Sequence, residues 1–221
     1  MENPIEDCQA NVLGTINILK YSNQFKVKKC VFASSAAVIG NPKILPITED
    51  TPLSPLSFYG LSKVSAENYV HLYEKIFGLR SCILRFSNVY GPNQESGVIS
   101  NFFNRIYKGK APIIHNGSQT RDFIFVKDVA AACLTAMVSE EIGVFHISSG
   151  IERTINEVAK LISQITNIEI EPIMKELDNT EIKRSVLSNE KARRVLHWER
   201  SYSMEEGLEE VVQSYRRVNH L

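Results

Sequence analysis

Lys28-Lys29-Cys30-Val31-Phe32-Ala33-Ser34 is a short apolar run that closes on small polar residues, with Ser35-Ala36-Ala37 directly after it. A run of this kind, without polar alternation, is the pattern of a strand buried on both faces of a parallel sheet. On its C-terminal side, Pro42, Pro46, Pro52 and Pro55 exclude regular structure over 40–58, so an ordered loop is expected there. Residues 59–77 then read as a long helix closed by Gly78 at the position after its end. Ser81-Cys82-Ile83-Leu84-Arg85-Phe86 reads as the next strand, broken by Gly91-Pro92. On the N-terminal side, Val12, Ile16 and Leu19 recur at helical spacing after Asn3-Pro4, which predicts a helix over 5–24. Strand, long helix, strand is the alternation of a parallel α/β sheet with helical crossovers.

The same reading extends to the C-terminus. Helices are expected over 98–108 and 126–139, with Ile113-Ile114 in a short extended piece between them. Val144–Ser148 reads as a strand. Thr154–Thr166 reads as a helix in which Thr154 is the N-cap and Glu157 completes a capping box. Two final helices are expected over 188–196 and 204–217. The chain becomes more helical and charged after about residue 151, which points to a second, smaller lobe.

Composition excludes several classes of function. Lys and Arg number 25 against 25 Asp and Glu, so nothing electrostatic points to nucleic acid or an anionic membrane as partner. No apolar run approaches ~18 residues, so no membrane span is expected, and the acidic Met-Glu-Asn-Pro-Ile-Glu-Asp start is not a signal peptide. Cys8, Cys30, Cys82 and Cys133 contain no C-x-x-C pair, and the histidines show no ligand spacing, so no metal is expected. Cys30, Cys82 and Cys133 sit among apolar neighbours and read as buried free thiols of a reducing, cytoplasmic compartment. The two nearest glycines, Gly91 and Gly97, are six positions apart, so the chain carries no glycine-rich nucleotide loop.

The sharpest chemical signal is Tyr59-Gly60-Leu61-Ser62-Lys63, where Tyr and Lys at i, i+4 share one helix face. A lysine ammonium beside a phenol favours the phenolate, so a lowered Tyr59 pKa is expected. Ser35 follows a strand at its carboxyl end, where open α/β sheets bind ligands, and its hydroxyl suits a reacting alcohol. Asn88 ends the next strand, and Arg121 offers a guanidinium suited to a diphosphate.

The order Ser-Ser-Ala (34–36), Tyr-x-x-x-Lys (59–63), Leu-Arg-Phe-x-Asn-Val-Tyr-Gly-Pro (84–92) and Arg-Asp-Phe-Ile (121–124) resembles the extended short-chain dehydrogenase/reductases. Within them it is most similar to the NAD-dependent sugar-nucleotide epimerase/dehydratase family, on the side of the UDP-hexose 4-epimerases. Asn11-Val12-Leu13-Gly14-Thr15, Ser96–Ser100 and Gly117–Phe123 add to the likeness, which runs from about Asn3 to Trp198. The resemblance implies a partial Rossmann-type doubly wound α/β sheet and a substrate lobe. Residues 1–91, rejoined by about 121–150, would belong to the dinucleotide-binding domain, and 92–120 with 151–221 to the substrate lobe.

The resemblance also implies roles. Tyr59 would move the proton of the sugar 4-hydroxyl, with Lys63 and Ser35 completing the catalytic set. Asn11, Ser34, Tyr59, Lys63 and Ser87 would contact NAD; Asn88, Val98, Gln119 and Arg121 would contact a nucleotide sugar. The reaction would be 4-epimerisation through a 4-keto intermediate, with the helices 5–24 and 59–77 forming a homodimer. Ala36 and Ala37 stand where the related dehydratases carry an Asp-Glu pair, which argues against dehydration. The family's Arg near the C-terminus has no counterpart in Asp178-Asn179-Thr180-Glu181, although Lys183 or Arg184 could substitute. The family's cofactor loop and first four strands would precede Met1. A truncated, non-catalytic or split member, needing a partner that supplies that loop, is therefore the alternative expectation.

Overall fold

The computed structural model describes residues 3–115, 117–169, 171–175 and 182–219. The chain opens with a continuous helical rod: α1 (Pro4–Asp7), a π-helical stretch (Cys8–Leu13) and α2 (Gly14–Gln24). The Asn3 side chain caps its first turn by accepting from the backbone N–H of Ile5 and Glu6, and Pro4 needs no donor there. Then come β1 (Cys30–Ser35), a 3₁₀ turn (Ala36–Val38), α3 (Phe58–Phe77), β2 (Ser81–Phe86) and β3 (Asn88–Tyr90). They are followed by α4 (Val98–Ile106), β4 (Ile113–His115), β5 (Thr120–Phe125), α5 (Val126–Val138) and β6 (Gly143–Ile147). The chain closes with β7 (Glu152–Thr154), α6 (Ile155–Thr166), β8 (Ile173–Lys175) and α7 (Met204–Asn219).

The main sheet is parallel, in the order β1-β2-β6, with Ser34 opposite Arg85 and Ser35 opposite Phe86. Side chains alternate across it. Ile83 faces Leu19 of α2 and Val70 of α3, while Cys82 and Leu84 face Val129, Ala132 and Ala136 of α5. Among the described residues β1 is an edge of this sheet. A second sheet, β3-β5-β7, is parallel then antiparallel and hands the chain to the second core. Within β5, Ile124 packs into the first core and Phe123 and Phe125 into the second, which α4, α6 and α7 enclose.

Most expected elements form. Gly78 adopts a left-handed φ of 69° at the end of α3, and the Thr154–Glu157 capping box is complete. The expected helix over 188–196 is shorter, a π-helical turn at Ala192–Leu196 ended by His197 in a left-handed conformation. Trp198 beside it is buried as core and donates to the Asp128 carbonyl. Among the thiols, only Cys82 is fully buried; Cys30 and Cys133 are half-buried and Cys8 is exposed. The two half-buried thiols lie at the margins of their apolar clusters rather than inside them.

The proline-rich segment 40–58 is ordered, as expected, because it is tied to the sheet side of the molecule. Ile47 pairs with Leu187 and, with Val38, Ile39 and Leu187, forms a small buried cluster. Gly40 turns the chain at a φ of +76°, and a Cβ there would sit 2.0 Å from the Ser54 carbonyl oxygen, so no other residue fits. The carboxylate of Glu49, from the same loop, accepts the backbone N–H of His146 at 2.8 Å.

His146 on β6 is wholly buried, with Nδ1 3.3 Å from the Ile47 carbonyl oxygen. Burial, reinforced by the Arg85 charge, holds its pKa down to about 3, against an ordinary value of 6.5. The folded protein therefore keeps a neutral imidazole where the unfolded chain takes up a proton. This stability is complete above about pH 6.5 and is lost as pH falls toward 3, by up to about 1.4 kcal/mol per pH unit. His146→Asn is expected to flatten the acid limb in denaturant titrations between pH 7 and 4. Parallel limbs for parent and variant would contradict this assignment.

Candidate active site

The expected catalytic residues converge where β1 ends and α3 begins. Ser57 starts α3: its backbone is extended, and its hydroxyl accepts the Gly60 N–H at 3.0 Å. Tyr59 thereby falls in the first helical turn. A Cβ on Gly60 would lie 2.5 Å from the Ala37 carbonyl oxygen, so the glycine lets this turn close onto the 36–38 turn. That approach brings Tyr59 to Ser35. The Ser35 hydroxyl accepts the Ala37 N–H at 3.2 Å and lies beside the Tyr59 phenol, where it favours the phenolate.

One turn on, Lys63 Nζ donates to the Ala33 carbonyl at 3.0 Å and lies 5.8 Å from the centre of the Tyr59 ring. Tyr59 is 39% exposed, so the pair is reachable from solvent. The expected lowering of the Tyr59 pKa is not what the structure shows. Burial raises it; the Ser35 bond opposes this and Asp7 adds to it. The reason is geometric: the ammonium is engaged by a carbonyl, whereas the phenol has lost part of its water. Burial likewise pulls Lys63 below its ordinary value, with the Glu67 carboxylate opposing.

Asn11 reaches the same helix from the N-terminal rod: its Nδ2 donates to Ser62 Oγ at 3.0 Å, and Ser62 donates to the Tyr59 carbonyl. Ser34 is buried and donates to Glu67 Oε1 at 2.5 Å. Both side chains are thus committed to partners that hold α3.

Ser87 follows β2 as Ser35 ends β1, so the two hydroxyls come from neighbouring strand ends. Ser87 N–H donates to the Ile147 carbonyl, and its Oγ donates to Asp122 Oδ1 at 3.2 Å. Asn88 Nδ2 donates to the Asp122 carbonyl at 3.1 Å. Val98 and Gln119 line an open pocket of about 420 Å³ together with Asn101, Arg105, His115 and Lys175. Arg121 is not among the residues lining it: its guanidinium donates to the carbonyls of Thr120 and Ile182 and to Gln119 Oε1. Among the described residues, no group of three His, Cys, Asp or Glu is placed to hold a metal ion. The stretch Asp178–Glu181, where the expected C-terminal Arg would stand, lies outside the described residues.

Three charged residues that sequence reading passed over are central here. Asp122 is fully buried and accepts from Ser87 Oγ, Ser149 N and Oγ, Gly150 N and Leu187 N. Burial pushes its carboxyl up and these bonds, led by Ser149, pull it back. It ties the ends of β2 and β6 to the 185–188 segment. Glu67 and Arg85 form an ion pair buried between α3 and β2. The available signal was a charge on a helix face otherwise given to Ala66 and Val70, four residues beyond Lys63.

Comparison with known proteins matches this arrangement to one family. The family model described as "NAD dependent epimerase/dehydratase family" matches residues 1–148. The chain belongs to the NAD-dependent epimerase/dehydratase family. Among its relatives, a putative UDP-glucose 4-epimerase of Methanocaldococcus jannaschii is 41% identical over 225 residues, covering 99% of this chain and 73% of that protein. The UDP-glucose 4-epimerase of Thermotoga maritima, solved with UDP-glucose, superposes with a TM-score of 0.93 at 34% identity, covering 98% of this chain and 72% of that one. The UDP-glucose 4-epimerase of Thermus thermophilus, solved with NAD, superposes with a TM-score of 0.84 at 31% identity, covering 93% and 70%. The fold is thus the family's Rossmann-like α/β fold, as expected from the sequence.

Proposed function

We propose that this chain catalyses the NAD-dependent 4-epimerisation of a UDP-hexose. The observation that carries the reading is the Ser35–Tyr59–Lys63 constellation at the carboxyl end of β1, in a chain whose relatives are UDP-glucose 4-epimerases. Nothing in those relatives favours the non-catalytic alternative. Residues 1–91 with about 121–150 would form the cofactor side, and 92–120 with 151–221 the substrate side, divided where β5 shares its side chains between two cores.

The half-exposed Tyr59 and Lys63 fit one edge of a nicotinamide ribose, with Ser87 beside them at the next strand end. Asn11 and Ser34 act by holding α3, since their own polar atoms are used internally. NAD, when bound, accepts the hydride from sugar C4 and returns it to the other face. The chain's own part is proton traffic and placement. From its phenolate form, which the Ser35 hydroxyl favours, Tyr59 Oη takes the proton of the 4-hydroxyl as the ketone forms, becoming the phenol, and gives it back as the alcohol re-forms. Ser35 orients that hydroxyl, and Lys63 keeps positive charge near the phenol. The pocket at Val98 and Gln119 would seat the nucleotide. Asn88 and Arg121, which lie outside its lining, would have to turn from the Asp122, Thr120 and Ile182 carbonyls to reach the sugar and the phosphates.

Calorimetry with NAD and interconversion of UDP-glucose and UDP-galactose, or of the N-acetyl pair, test this reading. Absence of both binding and conversion in the folded chain would overturn it. A homodimer is part of the same proposal. Ile5, Leu13, Ile18, Leu61, Leu72 and Ile76 expose apolar side chains on the rod and on α3. Leu72→Glu with Ile76→Glu is expected to halve the solution mass in light scattering; an unchanged mass would exclude this face. A cytoplasmic site suits the four free thiols. No helix among the described residues is long and apolar enough to cross a membrane.

A further inference from the structure

Glu67 and Arg85 are an expensive choice for the interior. Their side chains are 2% and 5% exposed, and Arg85 Nε and Nη2 donate to the two carboxylate oxygens at 3.0 and 2.7 Å. Desolvating both charges offsets most of their attraction, and apolar residues of similar volume often stabilise as well or better. Stability is therefore a weak reason for the pair.

Its position gives a stronger one. Three consecutive residues of β1 each grip a different residue of α3. Ala33 O accepts from Lys63, Ser34 Oγ donates to Glu67, and Ser35 Oγ lies against the Tyr59 phenol, favouring its ionised form. Tyr59, Lys63 and Glu67 are spaced four residues apart and so lie along one stripe of the helix. Arg85 stands directly opposite Ser34 on the neighbouring strand, so one carboxylate is held from both strands at once. A slip of α3 by one residue would turn Tyr59 by about 100° away from Ser35. Apolar contacts tolerate small slides; a two-point guanidinium–carboxylate contact does not.

We propose that the Glu67–Arg85 pair is the positioning device of this active site, fixing the register of α3 on β1 so that Tyr59 and Lys63 face the reacting sugar. It rests on the epimerase reading for its catalytic consequence. Glu67 has a second effect, because its carboxylate favours the charged form of Lys63 against burial. The charged groups packed around this stripe are Arg85 of β2 and, behind it, Glu49 of the proline-rich loop, whose carbonyl meets Arg85 Nη1 at 3.5 Å. His146 of β6, also there, is neutral at working pH. Asp7 faces Tyr59 from α1.

The test uses the full chain with lysines labelled at ¹³Cε, the Lys63 signal being assigned through Lys63→Arg. Two variants are compared: Glu67→Gln, and the double variant Glu67→Met/Arg85→Met, which removes both charges and is expected to fold. In both, the Lys63 titration is expected to move to lower pH. In the epimerase assay the double variant is expected to lose about 10- to 100-fold in kcat with KM within about twofold, as misplacement of reacting groups does. An unchanged Lys63 titration in folded variants overturns the proposal, as does a kcat within about twofold of the parent. An inactive parent overturns the epimerase reading alone, and the Lys63 titration then decides this proposal.

Discussion

Tyr59→Phe is expected to lower kcat for epimerisation by about 10²- to 10⁴-fold, the range lost when a positioned acid/base is removed. KM is expected to move only a few-fold, because the ring stays and only Oη goes. Thermal stability is expected to hold, since Tyr59 is 39% exposed and only its hydroxyl, beside Ser35, is removed. The phenol itself is open to measurement without any substrate. Burial raises the Tyr59 pKa while the Ser35 bond lowers it. In ultraviolet difference titration of parent against Tyr59→Phe, the missing phenol should therefore ionise above the ordinary tyrosine range. Ser35→Ala should move it higher still. Tyr59 ionising at or below the ordinary value would show that Lys63 governs it after all. Activity of Tyr59→Phe equal to the parent would remove Tyr59 from the chemistry.

Asp122→Ala is expected to be the most damaging single change to stability. Five donors converge on this fully buried carboxylate, three of them backbone N–H groups of Ser149, Gly150 and Leu187. Removing the acceptor strands the buried donors of Ser87 and Leu187 and loosens those of Ser149 and Gly150 nearer the surface, at a cost of about 3–5 kcal/mol. For a domain of this size that corresponds to a fall in Tm of roughly 10 °C or more. Asp122→Asn retains one acceptor oxygen and should lose less. A Tm within about 2 °C of the parent in Asp122→Ala would mean that the strand ends are held otherwise. Because Ser87 Oγ is bound to the same carboxylate, cofactor affinity is expected to fall along with stability.

Elements whose cause is local were legible in the sequence. The Thr154–Glu157 capping box and the Gly78 terminus depend on residues within a few positions of each other, and both form as read. The long periodic helices and the apolar runs of β1, β2 and β6 were legible for the same reason. The three-residue strands β3, β7 and β8 were not, since such lengths carry no period. β5 was read for its Arg121 and not as a strand, because its pairing with β3 and β7 joins segments about 30 residues apart on either side.

For the site, the order of motifs determined which residues come together: Ser35, Tyr59 and Lys63 meet where expected, and Val98 and Gln119 share a pocket. It did not determine their electrostatics. Y-x-x-x-K spacing states that an ammonium is near a phenol, but not that the ammonium is held by Ala33 or that burial outweighs it. Nor could it show Glu67 meeting Arg85, or Asp122 gathering donors up to 65 residues away. The sequence by itself determined the family, the parallel sheet and which side chains gather at the candidate site, because these follow from local periodicity and ordered motifs. Tertiary structure alone decided the direction in which the phenol's pKa moves and the clamps beneath it, because desolvation and long-range hydrogen bonds exist only once distant segments have packed.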